Sequence, residues 1–135
     1  MNKNRIKIGD VIWVRLHGKG HVQRGIRPAV VIQNNVGNYH SPTIQVFSMT
    51  SRCYKTSLPT HVFVPSGVAG LDKNSIVQCE ATHTIDKEDV LGYIGHLPDK
   101  YMNMISLACM ISIPLIQFLS MDQIRDVCSQ VHLLA

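Results

Sequence analysis

Of acids the amino-terminal half has almost none: residues 1–57 hold Asp10 alone against nine Lys and Arg. Cysteine is sparse too. Cys53, Cys79, Cys109 and Cys128 never fall at a CxxC spacing, which excludes a disulfide-dense secreted framework and points to reduced thiols. His17 and His21 lie four apart with no Cys, Asp or Glu close by in sequence to complete a zinc set. HExxH, GxxxxGK[ST] and GxSxG are all missing, so the zinc-protease, P-loop and nucleophile-elbow signatures are absent. Neither a metal nor a cofactor is expected. The longest apolar stretch, residues 105–119, is broken by Ser106, Ser112, Pro114 and Gln117 and falls short of the roughly 20 residues a membrane span needs. It predicts a buried helix with a short segment after it, and no membrane partner. No basic-then-apolar leader opens the chain, which predicts a cytoplasmic protein.

What is present is enough for one domain. The 135 residues are 45% hydrophobic and 16% charged, which excludes a disordered or linker chain. Charge is divided unevenly: residues 1–57 carry +8 and residues 58–135 carry −4, a net of +4. That asymmetry points to a polyanionic partner on one face.

The apolar pattern predicts strands at residues 10–16, 27–33, 43–50, 60–64, 75–80 (extended or followed by another to 85) and 92–97. Residues 17–25 read as a Gly-rich loop, 34–42 as a turn, and 86–90 as a short helical turn. After Pro98 the period becomes helical, with Tyr101, Met104, Ile105, Ala108 and Cys109 on one face. Pro114 ends that helix, and Ser120 or Asp122 caps a second, whose Ile124, Val127, Cys128, Val131 and Leu134 predict a core face or a dimer seam. Short strands followed by helices give an α+β domain built on a small, strongly bent antiparallel β-barrel.

The stretch the chain is organised around is residues 24–35, RGIRPAVVIQNN. A continuous apolar run there predicts a strand buried on both faces, entered at Pro28, with Arg27 at its mouth. Thr50 closes the third predicted strand. If the two strands pair antiparallel, Arg27 and Thr50 meet at one sheet edge on rigid backbone. A guanidinium fork and a hydroxyl together suit a phosphate group. With no metal set in the sequence, phosphodiester chemistry needs a nucleophile from elsewhere. RNA carries one in its 2′-hydroxyl, which favours RNA over DNA as substrate. Gln23, Arg24, Arg52 and Lys55 flank the pair as candidate RNA contacts.

Taken together, GDVIWV (9–14), RGIRPAVVIQNNVGNYHSPTI (24–44), TSR (50–52), LPTHV (58–62), GLDKNSIV (70–77), TIDK (84–87) and GHL (95–97) resemble the MazF/PemK family of toxin endoribonucleases from type II toxin–antitoxin systems. The resemblance implies an SH3-like barrel with carboxy-terminal helices, a homodimer, and sequence-specific, metal-independent cleavage of single-stranded RNA. It places catalysis on Arg27 and Thr50, with 2′-hydroxyl attack leaving a 2′,3′-cyclic phosphate and a 5′-hydroxyl. A cognate antitoxin protein is expected to silence the RNA groove. One toxin domain spans residues 1–135, with about 119–135 as an added helical segment.

The sequence departs from the family in two places. Val22 stands where an acid is usual, and Ala81 and His83 replace the Gln and Arg of a Glu-Gln-x-Arg run. The first bears on proton transfer, for which neighbouring His21 is the candidate base, since imidazole titrates near neutrality. The second bears on RNA or partner contacts. Two alternatives share the fold: a non-catalytic RNA- or antitoxin-binding module, and a gyrase poison, which needs no Arg/Thr pair.

Overall fold

The computed structural model describes residues 1–52 and 58–133. Six strands form one antiparallel sheet: β1 (Asp10–His17), β2 (Arg24–Val31), β3 (Thr43–Thr50), β4 (His61–Val64), β5 (Ser75–Asp86) and β6 (Val90–His96), in the spatial order β4-β5-β3-β2-β1-β6. The helices are α1 (Asn35–His40), α2 (Asp99–Ser112) and α3 (Met121–Leu133).

The central strands are buried on both faces, as the unbroken apolar run in β2 predicts. Val30 joins one cluster with Val11, Phe47, Val77 and the inner face of α2. Its neighbours Ala29 and Val31 join a second cluster with Ile12, Val14, Ile44 and Val46. Burial on two sides requires the sheet to curl. The turn before β5 reaches the opposite edge, where a Cβ on Gly95 of β6 would sit 2.0 Å from the carbonyl oxygen of Ala69. Only glycine permits that approach. Asp10, the amino-terminal half's single acid, is spent inside the fold. Its carboxylate accepts from the Lys7 backbone N–H at 2.8 Å and pairs with His96 Nδ1 at 2.8 Å.

Several boundaries differ from the sequence expectation. Residues 34–42 hold α1 rather than a plain turn. Asn34 caps it by accepting the Gly37 N–H at 2.8 Å, and buried Asn38 donates to Gln33 O at 2.8 Å. β2 begins at Arg24, because its pairing with β1 runs back to His17 opposite Arg24. Arg27 therefore lies within β2, not at its start. Pro28 still precedes the β2–β3 ladder, which starts at Ala29, so a residue without an N–H is tolerated there. β5 is one strand of 12 residues. Its register against β3 shifts between Phe47 and Met49, marking a sharp bend.

The carboxy-terminal helices are less buried than expected. α2 turns Tyr101, Ile105 and Ala108 inward, while Met104 is exposed and Met102 packs in its place. Leu107, Met110 and Ile111 also face outward. α3 starts on a reciprocal cap, in which Ser120 Oγ accepts the Gln123 N–H at 3.1 Å and Gln123 Oε1 accepts the Ser120 N–H at 3.0 Å. It buries no residue, so its apolar stripe is not core. Leu134 lies outside the described residues. No helix among the described residues is long and apolar enough to cross a membrane.

Candidate active site

The β2–β3 register pairs Ala29 with Ser48. The ladder ends there, two residues short of Arg27 on one strand and of Thr50 on the other. Both residues line one cavity of about 910 Å³. Neighbouring strands support the pair: Arg27 is paired with Val14 of β1, and Thr50 with Ile76 of β5. Gly25, at φ +95°, turns the backbone between Arg24 and Arg27 in a way an L side chain resists. Arg27 Nε donates to the Arg24 carbonyl at 3.5 Å, a long contact, and the terminal nitrogens of the guanidinium bond to no other described residue. Thr50 Oγ1 accepts the Arg52 N–H at 3.2 Å, so its own O–H remains a donor.

The cavity is basic. Arg24, Arg52 and Lys73 join Arg27 on its wall, with Asp72 as the acid among its lining. Two exposed aromatics that sequence reading passed over, Trp13 and Tyr93, also line it. Trp13 lies opposite Gly92 in the β1–β6 ladder, and a Cβ on that glycine would come within 3.8 Å of the indole. His61 lines the cavity as well, its Nε2 paired with Glu80 at 2.8 Å, and Thr60 donates to the same carboxylate at 2.9 Å.

Beside this wall runs a polar network. Gln23 Nε2 donates to Gln78 Oε1 at 2.8 Å. Gln23 Oε1 accepts from Ser48 Oγ and is bonded to His83 Nε2 at 3.1 Å. Burial, and after it the Arg27 guanidinium, hold the His83 imidazole below the usual histidine range. It is therefore neutral at pH 7, and its Nε2 carries the hydrogen that Gln23 accepts. Cys79, next to Gln78, is inert: burial first, then Cys109 and Glu80, push its thiol up to about 12.

The candidates from sequence separate into groups. Arg24, Arg27, Thr50 and Arg52 converge on the cavity. Gln23 is drawn into the network behind it rather than onto its wall. His21 is exposed in the β1–β2 loop, forms no side-chain hydrogen bond with the described residues, and is not among the lining residues. Lys55 lies outside the described residues. No cluster of three or more His, Cys, Asp or Glu positioned for a metal occurs among the described residues.

A match to the PemK-like, MazF-like toxins of type II toxin–antitoxin systems runs over residues 7–113. The chain belongs to that family. It is 40% identical over 114 residues to endoribonuclease EndoA of Bacillus subtilis, covering 84% of this chain and 98% of that enzyme. Among solved structures, MazF from Deinococcus radiodurans superposes with a TM-score of 0.71 at 19% identity, over 81% of this chain and 96% of that one. A mycobacterial endoribonuclease in complex with its cognate antitoxin superposes at 0.67 and 23% identity, over 82% of this chain and 96% of that one. These likenesses establish the MazF-like fold. Residues beyond 113, including α3, lie outside the family match.

Proposed function

We propose that this toxin is a sequence-specific endoribonuclease that cleaves single-stranded RNA at the Arg27–Thr50 cavity, with the RNA's own 2′-hydroxyl as nucleophile. The observation that carries this reading is that an arginine and a threonine, on two neighbouring strands, line the same basic cavity. The 2′-hydroxyl gives its proton to solvent, the 2′-oxygen bonds to phosphorus as the phosphorus–O5′ bond breaks, and O5′ takes a proton from solvent, leaving a 2′,3′-cyclic phosphate and a 5′-hydroxyl. Arginine stays protonated in proteins, so Arg27 is not the base. It holds the phosphorane oxygens and faces the departing O5′, while the Thr50 hydroxyl donates to a non-bridging oxygen. No metal takes part in this scheme. Trp13 and Tyr93 offer stacking surfaces for unpaired bases, the mode by which single strands are held.

The family pairs such toxins with an antitoxin, and on this reading the antitoxin occupies the same groove. The working unit is a cytoplasmic homodimer of one toxin domain, extended by a helical segment from about residue 119.

The test is incubation of the purified protein with a long transcript in EDTA. Discrete fragments are expected, with Arg27→Ala reducing the rate about 10²- to 10³-fold. Arg27→Lys should restore little, since a point charge does not replace the planar fork. Intact RNA retained on a filter would instead make this a binding module, and gyrase inhibition without cleavage a poison. A pH–rate profile unchanged by His21→Ala would remove His21 from proton transfer.

A further inference from the structure

We infer that His83, acting through Gln23, fixes the side-chain amide of Gln78 as a hydrogen-bond donor toward an acceptor oxygen of the RNA in the cavity. This rests on the cleavage reading above and adds a contact residue, Gln78, and a positioning residue, His83.

The chain of bonds has a direction. Gln23 presents Oε1, which can only accept, so the neutral imidazole carries its hydrogen on Nε2 and donates there. Ser48 Oγ donates to the same oxygen. The other end of the Gln23 amide is then its NH2, which donates to Gln78 Oε1 at 2.8 Å. Ser48 Oγ also lies 3.4 Å from that oxygen. With Oε1 occupied, the NH2 of Gln78 is its uncommitted end among the described residues, and Gln78 lines the same cavity as Arg27 and Thr50. Reversing the imidazole tautomer would require the Gln23 amide to flip, and Gln78 after it. The cavity would then meet a carbonyl oxygen where it now meets a donor. Burial, and after it the Arg27 guanidinium, keep the ring uncharged, so that only one ring nitrogen carries a hydrogen. The remaining groups bonded in the network, Gln23, Ser48 and Gln78, carry no charge.

A single amide donor reads either a phosphate oxygen or a base carbonyl, and cut-site mapping separates the two. The experiment measures cleavage of a randomised RNA pool and single-substrate kinetics for the wild type, Gln78→Met, His83→Ala, His83→Gln and Arg27→Ala. Gln78→Met should lower kcat/KM about 10-fold, as loss of one well-placed hydrogen bond does. A uniform loss across all words assigns the contact to phosphate, and a relaxed word at one position assigns it to a base. His83→Ala should move the same parameter at the same position by a smaller factor, and His83→Gln, which keeps an N–H donor, should restore it. Unchanged kinetics and cut sites in Gln78→Met, or in His83→Ala, would overturn the inference. So would His83→Ala losing thermal stability with no change in the word or in kcat/KM. Arg27→Ala reports separately: full cleavage there would remove the catalytic reading itself, whereas its inactivity beside an unaffected Gln78→Met removes only the relay.

Discussion

At the scale of single residues, the histidines show how position decides chemistry. His21 and His83 have the same side chain, yet one is exposed in a loop and the other sits half-buried between strands. Burial of His83 lowers its pKa in the folded state, so the unfolded chain binds the extra proton first as pH falls. Stability contributed by the neutral ring is thus complete above the unfolded value of about 6.5 and is lost as pH drops through it. The midpoint of thermal unfolding should therefore fall between pH 7 and pH 5 in the wild type, and fall less in His83→Gln. Differential scanning fluorimetry across that range checks it. In the sequence, His83 registers only as a departure from the family pattern. Its bond to Gln23 spans 60 positions, and no local spacing encodes a contact of that kind.

Elements were legible where apolar residues carried the signal. β3 matches its expected bounds, and the double burial of β2 follows from Ala29, Val30 and Val31 in succession. Short polar pieces were less so. In α1 the sequence NVGNYH has the composition of a turn, and what makes it helical is the Asn34 cap together with Asn38 bonding inside the fold. β5 reads as a strand to Glu80 that residues 81–85 either extend or follow with another, because its bend interrupts the alternation of burial. That Arg27 and Thr50 share a cavity was legible because the expected strands open at one and close at the other, whereas Trp13 and Tyr93 show their outward faces only once β1 and β6 are paired. A prediction at this scale concerns the start of β2. Gly25 has open space around a notional Cβ, so Gly25→Ala isolates the cost of φ +95° from any clash. It should destabilise the fold by about 1–2 kcal/mol and lower cleavage, because the strained backbone lies between Arg24 and Arg27. Denaturant unfolding alongside a cleavage assay tests both parts.

Across the whole molecule, the cavity and, apart from Ile6, the core belong to the segment that matches the family, while α3 adds to neither. Leu115, Phe118, Met121, Val127 and Val131 beyond that segment are all exposed. Ending the chain after Ile113 should leave the unfolding midpoint within about 2 °C, since none of the described residues removed is buried. It should also reduce self-association at high concentration, because a large apolar surface goes with it. Calorimetry and light scattering on the shortened chain read the two effects separately.

The cavity's cations come from three places in the fold: Arg24 and Arg27 on β2, Arg52 just past β3, and Lys73 before β5. A strand of RNA laid across all four would shed the small ions condensed on its phosphates. Affinity should then weaken steeply with ionic strength, log Kd rising with log salt at a slope of about 3 for four neutralised phosphates on a single strand. Removing Arg52 alone should flatten that slope by somewhat less than one, a signature that titrations at three potassium chloride concentrations resolve without any cleavage taking place.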